Sequence, residues 1–179
     1  ISHLAEVGVV ELHSQRHCFV QAPLQTTLAV DGAIEGHAAI NLLMGSVTIQ
    51  SVEGHLQVNS CGPLSIQSVD GNLSVRAVAG SCRIHSVDGN ARIAQVAGDL
   101  LLPKVDGNLA ISEVVGNVEA QTDGNADLSL TLVHGQRVQV TADGNIVCKI
   151  QPDAGVTVRL EAEGSIRVRN LGESRRSDD

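Results

Sequence analysis

Glycine keeps time along this chain. From Gly36 it recurs at Gly45, Gly54, Gly62, Gly71, Gly80, Gly89, Gly98, Gly107, Gly116 and Gly124, in steps of nine with an occasional eight. Gly135, Gly144, Gly155 and Gly164 continue the series in steps of eleven and nine. A glycine at this interval breaks any helix before it can repeat its apolar stripe. A short fixed period is instead the signature of a chain that stacks on itself.

The residues between the glycines repeat as well. Counted from each Gly, the second position is apolar (Leu64, Leu73, Leu100), as is the fourth (Ile66, Val75, Ile84). The seventh is mostly valine (Val69, Val78, Val87), and Ser65, Arg83, Gln67 and Ser68 fill the positions between. Such alternation describes a β-strand with one buried face, and β-branched residues suit that backbone. Gly then supplies the turn, through either a positive φ or a close approach of two backbones.

Nine residues make only half of the true period. Asp70-Gly71-Asn72 returns as Asp88-Gly89-Asn90, Asp106-Gly107-Asn108, Asp123-Gly124-Asn125 and Asp143-Gly144-Asn145. The glycines between them follow Ala79, Ala97 and Val115. The pattern predicts an all-β fold, a single-stranded parallel β-helix or β-solenoid. Its coil has about 18 residues in two nine-residue halves, stacks at roughly 4.8 Å, and is right-handed by the usual crossover preference.

One domain is expected over residues 1–170. Residues 1–35 form an irregular N-terminal coil or cap, with Phe19 over the open end of the stack. Residues 36–125 hold the most regular repeats, and 126–170 the longer C-terminal coils. Residues 171–179 read as a polar, disordered tail. The chain opens at Ile1 with no leader pattern, which leaves open whether an upstream segment precedes it. Only 1% of the residues are aromatic while 42% are apolar, so the core must be thin and aliphatic.

Stacking converts the repeat into columns. Before Gly on one edge stand Glu35, Glu53, Asp70, Asp88, Asp106, Asp123, Asp143 and Glu163; on the other stand Met44, Cys61, Ala79, Ala97 and Val115. Carboxylates one coil apart repel by roughly 1 kcal/mol in water. Asx-turn bonds from the Asp side chains to turn N–H groups, with solvent screening, would offset this. Binding of Ca²⁺ along Asp70, Asp88, Asp106, Asp123 and Asp143 is the alternative. Gly71, Gly89, Gly107, Gly124 and Gly144 form a structural turn ladder. Asn72, Asn90, Asn108, Asn125 and Asn145 stand beside it, able to hydrogen-bond from coil to coil, and His37 and His55 hold the equivalent place in earlier coils. An uncapped end exposes strand edges that template head-to-tail association.

The unit Val69-Asp70-Gly71-Asn72-Leu73-Ser74-Val75, repeated at Val87–Ile93 and Val105–Ile111, resembles a bacterial adhesin-like family of β-strand repeats of unknown function. Residues 142–166 are similar to its closing repeats. The resemblance spans about residues 36–170. It implies a β-helical domain without catalytic residues to carry over, associated with the cell envelope. The chain is also similar in style to the bactofilin polymers, which would imply end-to-end filaments.

Function follows as an expectation: a non-enzymatic structural or interaction module with a protein or cell-surface partner and possible self-association by end-to-end or edge stacking. A net charge of −8 opposes nucleic acid and anionic membrane as partners. No apolar run is long enough for a membrane helix. A polysaccharide-acting enzyme is less favoured, because sugar sites use aromatic platforms and Tyr and Trp are absent. A hexapeptide acyltransferase would need a six-residue beat. His13, His17, His85 and His134 share no motif with Cys18, Cys61, Cys82 or Cys148, which read as small buried hydrophobes. Unpaired cysteines point to the cytoplasm and the resemblance to the envelope, so the compartment stays open.

Overall fold

A computed structural model describes residues 9–11, 18–21, 27–41, 44–151 and 155–170. Residues 171–179, read above as a tail, lie outside the described residues, as do His13, His17 and Pro152–Ala154. The described chain is all β. Its odd-numbered strands are β1 (Val9–Glu11), β3 (Thr27–Ile34), β5 (Val47–Val52), β7 (Leu64–Val69), β9 (Cys82–Val87), β11 (Leu100–Leu102), β13 (Val118–Thr122), β15 (Arg137–Ala142) and β17 (Thr157–Ala162). They form one nine-stranded parallel sheet in chain order. The even-numbered strands are β2 (Cys18–Gln21), β4 (Ala38–Asn41), β6 (Leu56–Cys61), β8 (Leu73–Val78), β10 (Ala91–Val96), β12 (Leu109–Val114), β14 (Ala126–Thr131), β16 (Ile146–Gln151) and β18 (Ile166–Asn170). They form the second sheet. Each lap of the chain therefore contributes one strand to each sheet, which is a β-solenoid. Among the described residues no helix is long and apolar enough to cross a membrane.

The register repeats the sequence period. Val75 pairs with Ile93 and Ile93 with Ile111, so the fourth position of every coil lies over its counterpart. Ladder partners are 18 residues apart at Asn72 and Asn90, 17 at Asn108 and Asn125, and 20 at Asn125 and Asn145. The longest laps lie toward both ends, since Cys18 and Ala38 are also 20 residues apart. The described part of the N-terminal stretch is irregular in register, with a shift between Val30 and Ala33 where β3 pairs β5. β1, β2 and β3 join the two sheets as parallel strands, because their short apolar alternations supply the same in-and-out pattern.

Second, fourth and seventh positions point inward. In β10 Ala91, Ile93 and Val96 are all buried, as are Leu73, Val75 and Val78 below them. A straight strand reverses sides at every residue, so buried positions three apart demand a bend. In the even sheet Ser60, Ala77, Gln95 and Glu113 make it, with φ between 54° and 62°. The pairing skips them, passing from Ala94 opposite Arg76 directly to Val96 opposite Val78. This left-handed backbone costs non-glycine residues about 1–2 kcal/mol. Burial of the valine beyond the bend, worth about 1.5–3 kcal/mol, offsets it.

The repeat glycines are selected by contact. No positive φ occurs at Gly54, Gly71, Gly89 or Gly107; among the described glycines it is confined to Gly32, Gly135 and Gly155. A Cβ at Gly89 would stand 2.6 Å from the Gly71 carbonyl oxygen, and one at Gly107 2.6 Å from that of Gly89. Each of these glycines sits directly over the glycine one lap earlier, whereas Gly80 lies against Pro63 and Gly155 against His134. On the other edge Gly116 would meet Gly98 at 2.4 Å. The turns close on each other so tightly that only a hydrogen fits.

Phe19 does not close the N-terminal end. It is 68% exposed on β2 and points off the outer face of the even sheet. Its neighbour Val20 is buried instead; strand alternation permits only one of the two to face in.

Candidate functional site

The edge that carries Asp-Gly-Asn holds a continuous hydrogen-bonded ladder. The Asn90 backbone N–H and its Nδ2 both donate to Asn72 Oδ1, at 2.9 and 3.0 Å. Asn108 donates in the same way to Asn90, Asn125 to Asn108, and Asn145 to Asn125, all between 2.9 and 3.1 Å. Ser165 ends the column, donating its N–H and Oγ to Asn145 Oδ1. Toward the N-terminus histidine takes over. The Asn72 N–H donates to His55 Nδ1 at 2.9 Å, and the His55 N–H to His37 Nδ1 at 3.1 Å. Their rings stack with centroids 4.7 Å apart and planes 7° from parallel, one coil spacing. Both Nδ1 atoms act as acceptors, so each ring's proton resides on Nε2.

The acidic column behaves otherwise than expected. The turn N–H groups are received by Asn, not by Asp, because Asn stands beneath the next coil's amide. The Asp residues use their backbone N–H in the sheet, as Asp88 does to Val69 O at 2.9 Å, and remain exposed. Asp70 accepts from Ser68 Oγ at 3.3 Å. Lys104 Nζ lies 3.3 Å from Asp106 Oδ1. The Lys104 ammonium is held above its usual pKa, first by the hydrogen bond and charge of Asp106 and then by Asp88 and Asp123. Among the described residues no three His, Cys, Asp or Glu side chains converge as metal ligands.

The opposite edge is apolar, with one exception. Met44 and Val115 are 68% and 55% exposed, and Ala79 and Ala97 are exposed too. Cys61 leaves the strip for the core. Only eight residues separate Gly54 from Gly62, so Cys61 falls at the inward seventh position. Asp99 Oδ1 here accepts from the Asn117 N–H and Nδ2, and Asn117 Oδ1 from the Arg137 N–H. A second, shorter ladder therefore exists that the repeat did not advertise. Sequence reasoning also missed Gln136. It is buried, donating Nε2 to the carbonyls of Val114 and Gly116 and accepting the Val133 N–H at 3.1 Å. It closes the enlarged turn around Gly135. Thr122, in place of the usual valine, donates Oγ1 to the Gly107 carbonyl.

Cys61, Cys82 and Cys148 are buried and unpaired, and Cys18 is half-buried. Burial pushes the thiols of Cys61 and Cys148 up to about 11, Asp127 adding to the effect at Cys148. Burial, with Cys61 adding, pushes Cys82 up to about 12. None is poised as a nucleophile, which needs a thiolate.

A groove follows the ladder along the even sheet. Its main stretch, about 870 Å³, extends from Asn72 to Arg167, and a second stretch of about 660 Å³ extends from Cys18 to Ser74. The two share Asn72 and Leu73. The geometry follows from alternation. First and third positions point outward and the second inward, which leaves a furrow between two columns. One wall is the His/Asn ladder. The other runs through Phe19, Gln57, Ser74, Arg92, Asp127 and Arg167, brought into line by the register.

Fold and edges together define a parallel β-solenoid whose acidic edge carries a long hydrogen-bonded ladder and whose opposite, largely apolar edge carries a shorter one. No family model matches the chain, and no curated protein or solved structure matches it.

Proposed function

We propose that the chain is a non-catalytic structural and interaction module, a stiff rod whose repeating surface engages a partner and whose ends favour self-association. The observation that carries this reading is the unbroken ladder from His37 to Ser165, in which every side-chain acceptor receives the next coil's backbone N–H. Such a column couples each lap to its neighbours and resists bending. The repeat unit's resemblance to adhesin-like proteins points the same way.

The end of the stack supports the self-association element. Among the described residues β17 and β18 are the last strands of their sheets. Ile166 and Val168, which hold inward positions, are 44% and 52% exposed there. Strand edges flanked by apolar side chains favour pairing with another edge. Small-angle scattering and negative-stain microscopy over a concentration series test both elements. A rod that lengthens with concentration is the expected result. A rod that stays monomeric rejects self-association alone, and a compact or flexible particle rejects the whole reading.

Lys104 motivates a second reading, a cation-dependent module on the acidic edge. A cationic group already sits among Asp88, Asp106 and Asp123. Calorimetry with Ca²⁺ and a thermal melt with chelator decide it: absence of heat and an unchanged melt reject it.

A further inference from the structure

We infer that the groove beside the asparagine ladder binds an extended acidic polysaccharide laid along the solenoid axis, an inference that rests on reading the chain as an interaction module. From Asn72 to Asn125 the ladder wall offers side-chain donors and no side-chain acceptors. Each Asn Oδ1 from Asn72 to Asn125 already receives two hydrogen bonds. Each Nδ2 of Asn90, Asn108, Asn125 and Asn145 spends one of its two N–H groups on the coil below and keeps the other. A ligand rich in oxygen acceptors suits such a wall. An extended peptide does not, since its own N–H groups would find no acceptor there.

The facing wall supplies charge and a ring. Arg92 and Arg167 line the groove, and a guanidinium fork matches a carboxylate in geometry and sign. Although the whole chain carries −8, this sheet's outer face is cationic: Arg76, Arg92, Lys149, Arg167 and Arg169 stand against Glu113 and Asp127. The acidic column stands beyond this face on the turn edge, Asp88 lying across the Gly89 turn from Arg92. At the N-terminal end of the groove lies Phe19, the chain's single Phe, 68% exposed. A flat aromatic face of this kind receives a pyranose ring.

The test is calorimetric titration of the full chain with oligogalacturonate, alginate and hyaluronan oligomers, with poly-glutamate as a non-sugar polyanion. The variants are the pair Arg92→Gln with Arg167→Gln, and Phe19→Ala; all three side chains are exposed, so the fold is retained. Expected is saturable binding to at least one glycan, weakened about tenfold or more by the arginine pair and measurably by loss of the ring. Binding to none of the glycans overturns the inference. So does an affinity indifferent to the variants, or poly-glutamate bound as tightly. Scattering by the same samples reports the rod independently, so failure of the groove and failure of the module reading are distinguishable.

Discussion

Replacing Gly89 by alanine places one methyl group between two laps of the chain. Its Cβ would lie 2.6 Å from Gly71 O, 2.7 Å from Gly71 C and 2.9 Å from Asn72 Oδ1, whereas ordinary contact begins at 3.4 Å. Two of these neighbours are backbone and the third is a ladder acceptor, so none can swing away cheaply. Relief requires the coils to part. Three bonds then stretch: Asp88 N–H to Val69 O, and the two from Asn90 to Asn72. Each contributes about 1 kcal/mol net, and overpacking of this kind costs about 1–3 kcal/mol. We expect Gly89→Ala to lose about 2–4 kcal/mol in urea unfolding followed by circular dichroism. Gly135→Ala is the control. Nothing lies within 4 Å of its added methyl, and only its φ of +80° opposes the change, for about 1–2 kcal/mol. A loss below about 1 kcal/mol at Gly89, or a larger loss at Gly135, would refute the argument that contact selects these glycines.

Other perturbations separate the remaining forces. Asn108→Ala strips the acceptor from the Asn125 N–H and Nδ2; it should cost about 1–2 kcal/mol and speed hydrogen exchange at the Asn125 amide, and unchanged exchange would count against the ladder. Gln95 has φ 59°, so Gln95→Gly should stabilise by up to about 1 kcal/mol while Gln95→Val destabilises; the opposite order in thermal melts would reject the bend assignment. Native-state alkylation should reach half-buried Cys18 before Cys61, Cys82 and Cys148, as mass spectrometry can read. The three buried thiols also fix an alkaline limit. Their folded pKa values of about 11, 12 and 11 exceed the ordinary thiol value of 9.0, so the unfolded chain ionises first. Their contribution is fully present below pH 9.0 and is lost as pH climbs through about 11 to 12, each thiol giving up about 1.4 kcal/mol per unit within its window. Replacing all three by Ala should flatten that slope, and an unchanged slope would contradict the assignment.

The alternation of Leu73, Val75 and Val78 with polar neighbours was enough to say which side chains face inward, because in a strand that depends only on the residue's parity and its nearest turn. The beat of glycine and the alternation of Asp-Gly-Asn with Ala-Gly fixed the lap length for the same reason. Either of two roles suited the repeat glycines at that level, a positive φ or a close approach. The choice belongs to the stack, since the obstructing atom comes from a residue a full lap away.

What lies across from what was decided by tertiary structure, because each lap's length accumulates in the register. A lap of 17 residues carries Cys61 inward and out of the apolar strip. Laps of 17 to 20 bring Phe19, Arg92 and Arg167 into one wall, although no local pattern relates them. Asp and Asn look equally able to accept a turn N–H in the sequence, and Asp99 does so on the opposite edge. Only the position of the overlying amide assigns that bond to Asn72 and its successors, leaving the aspartates to solvent.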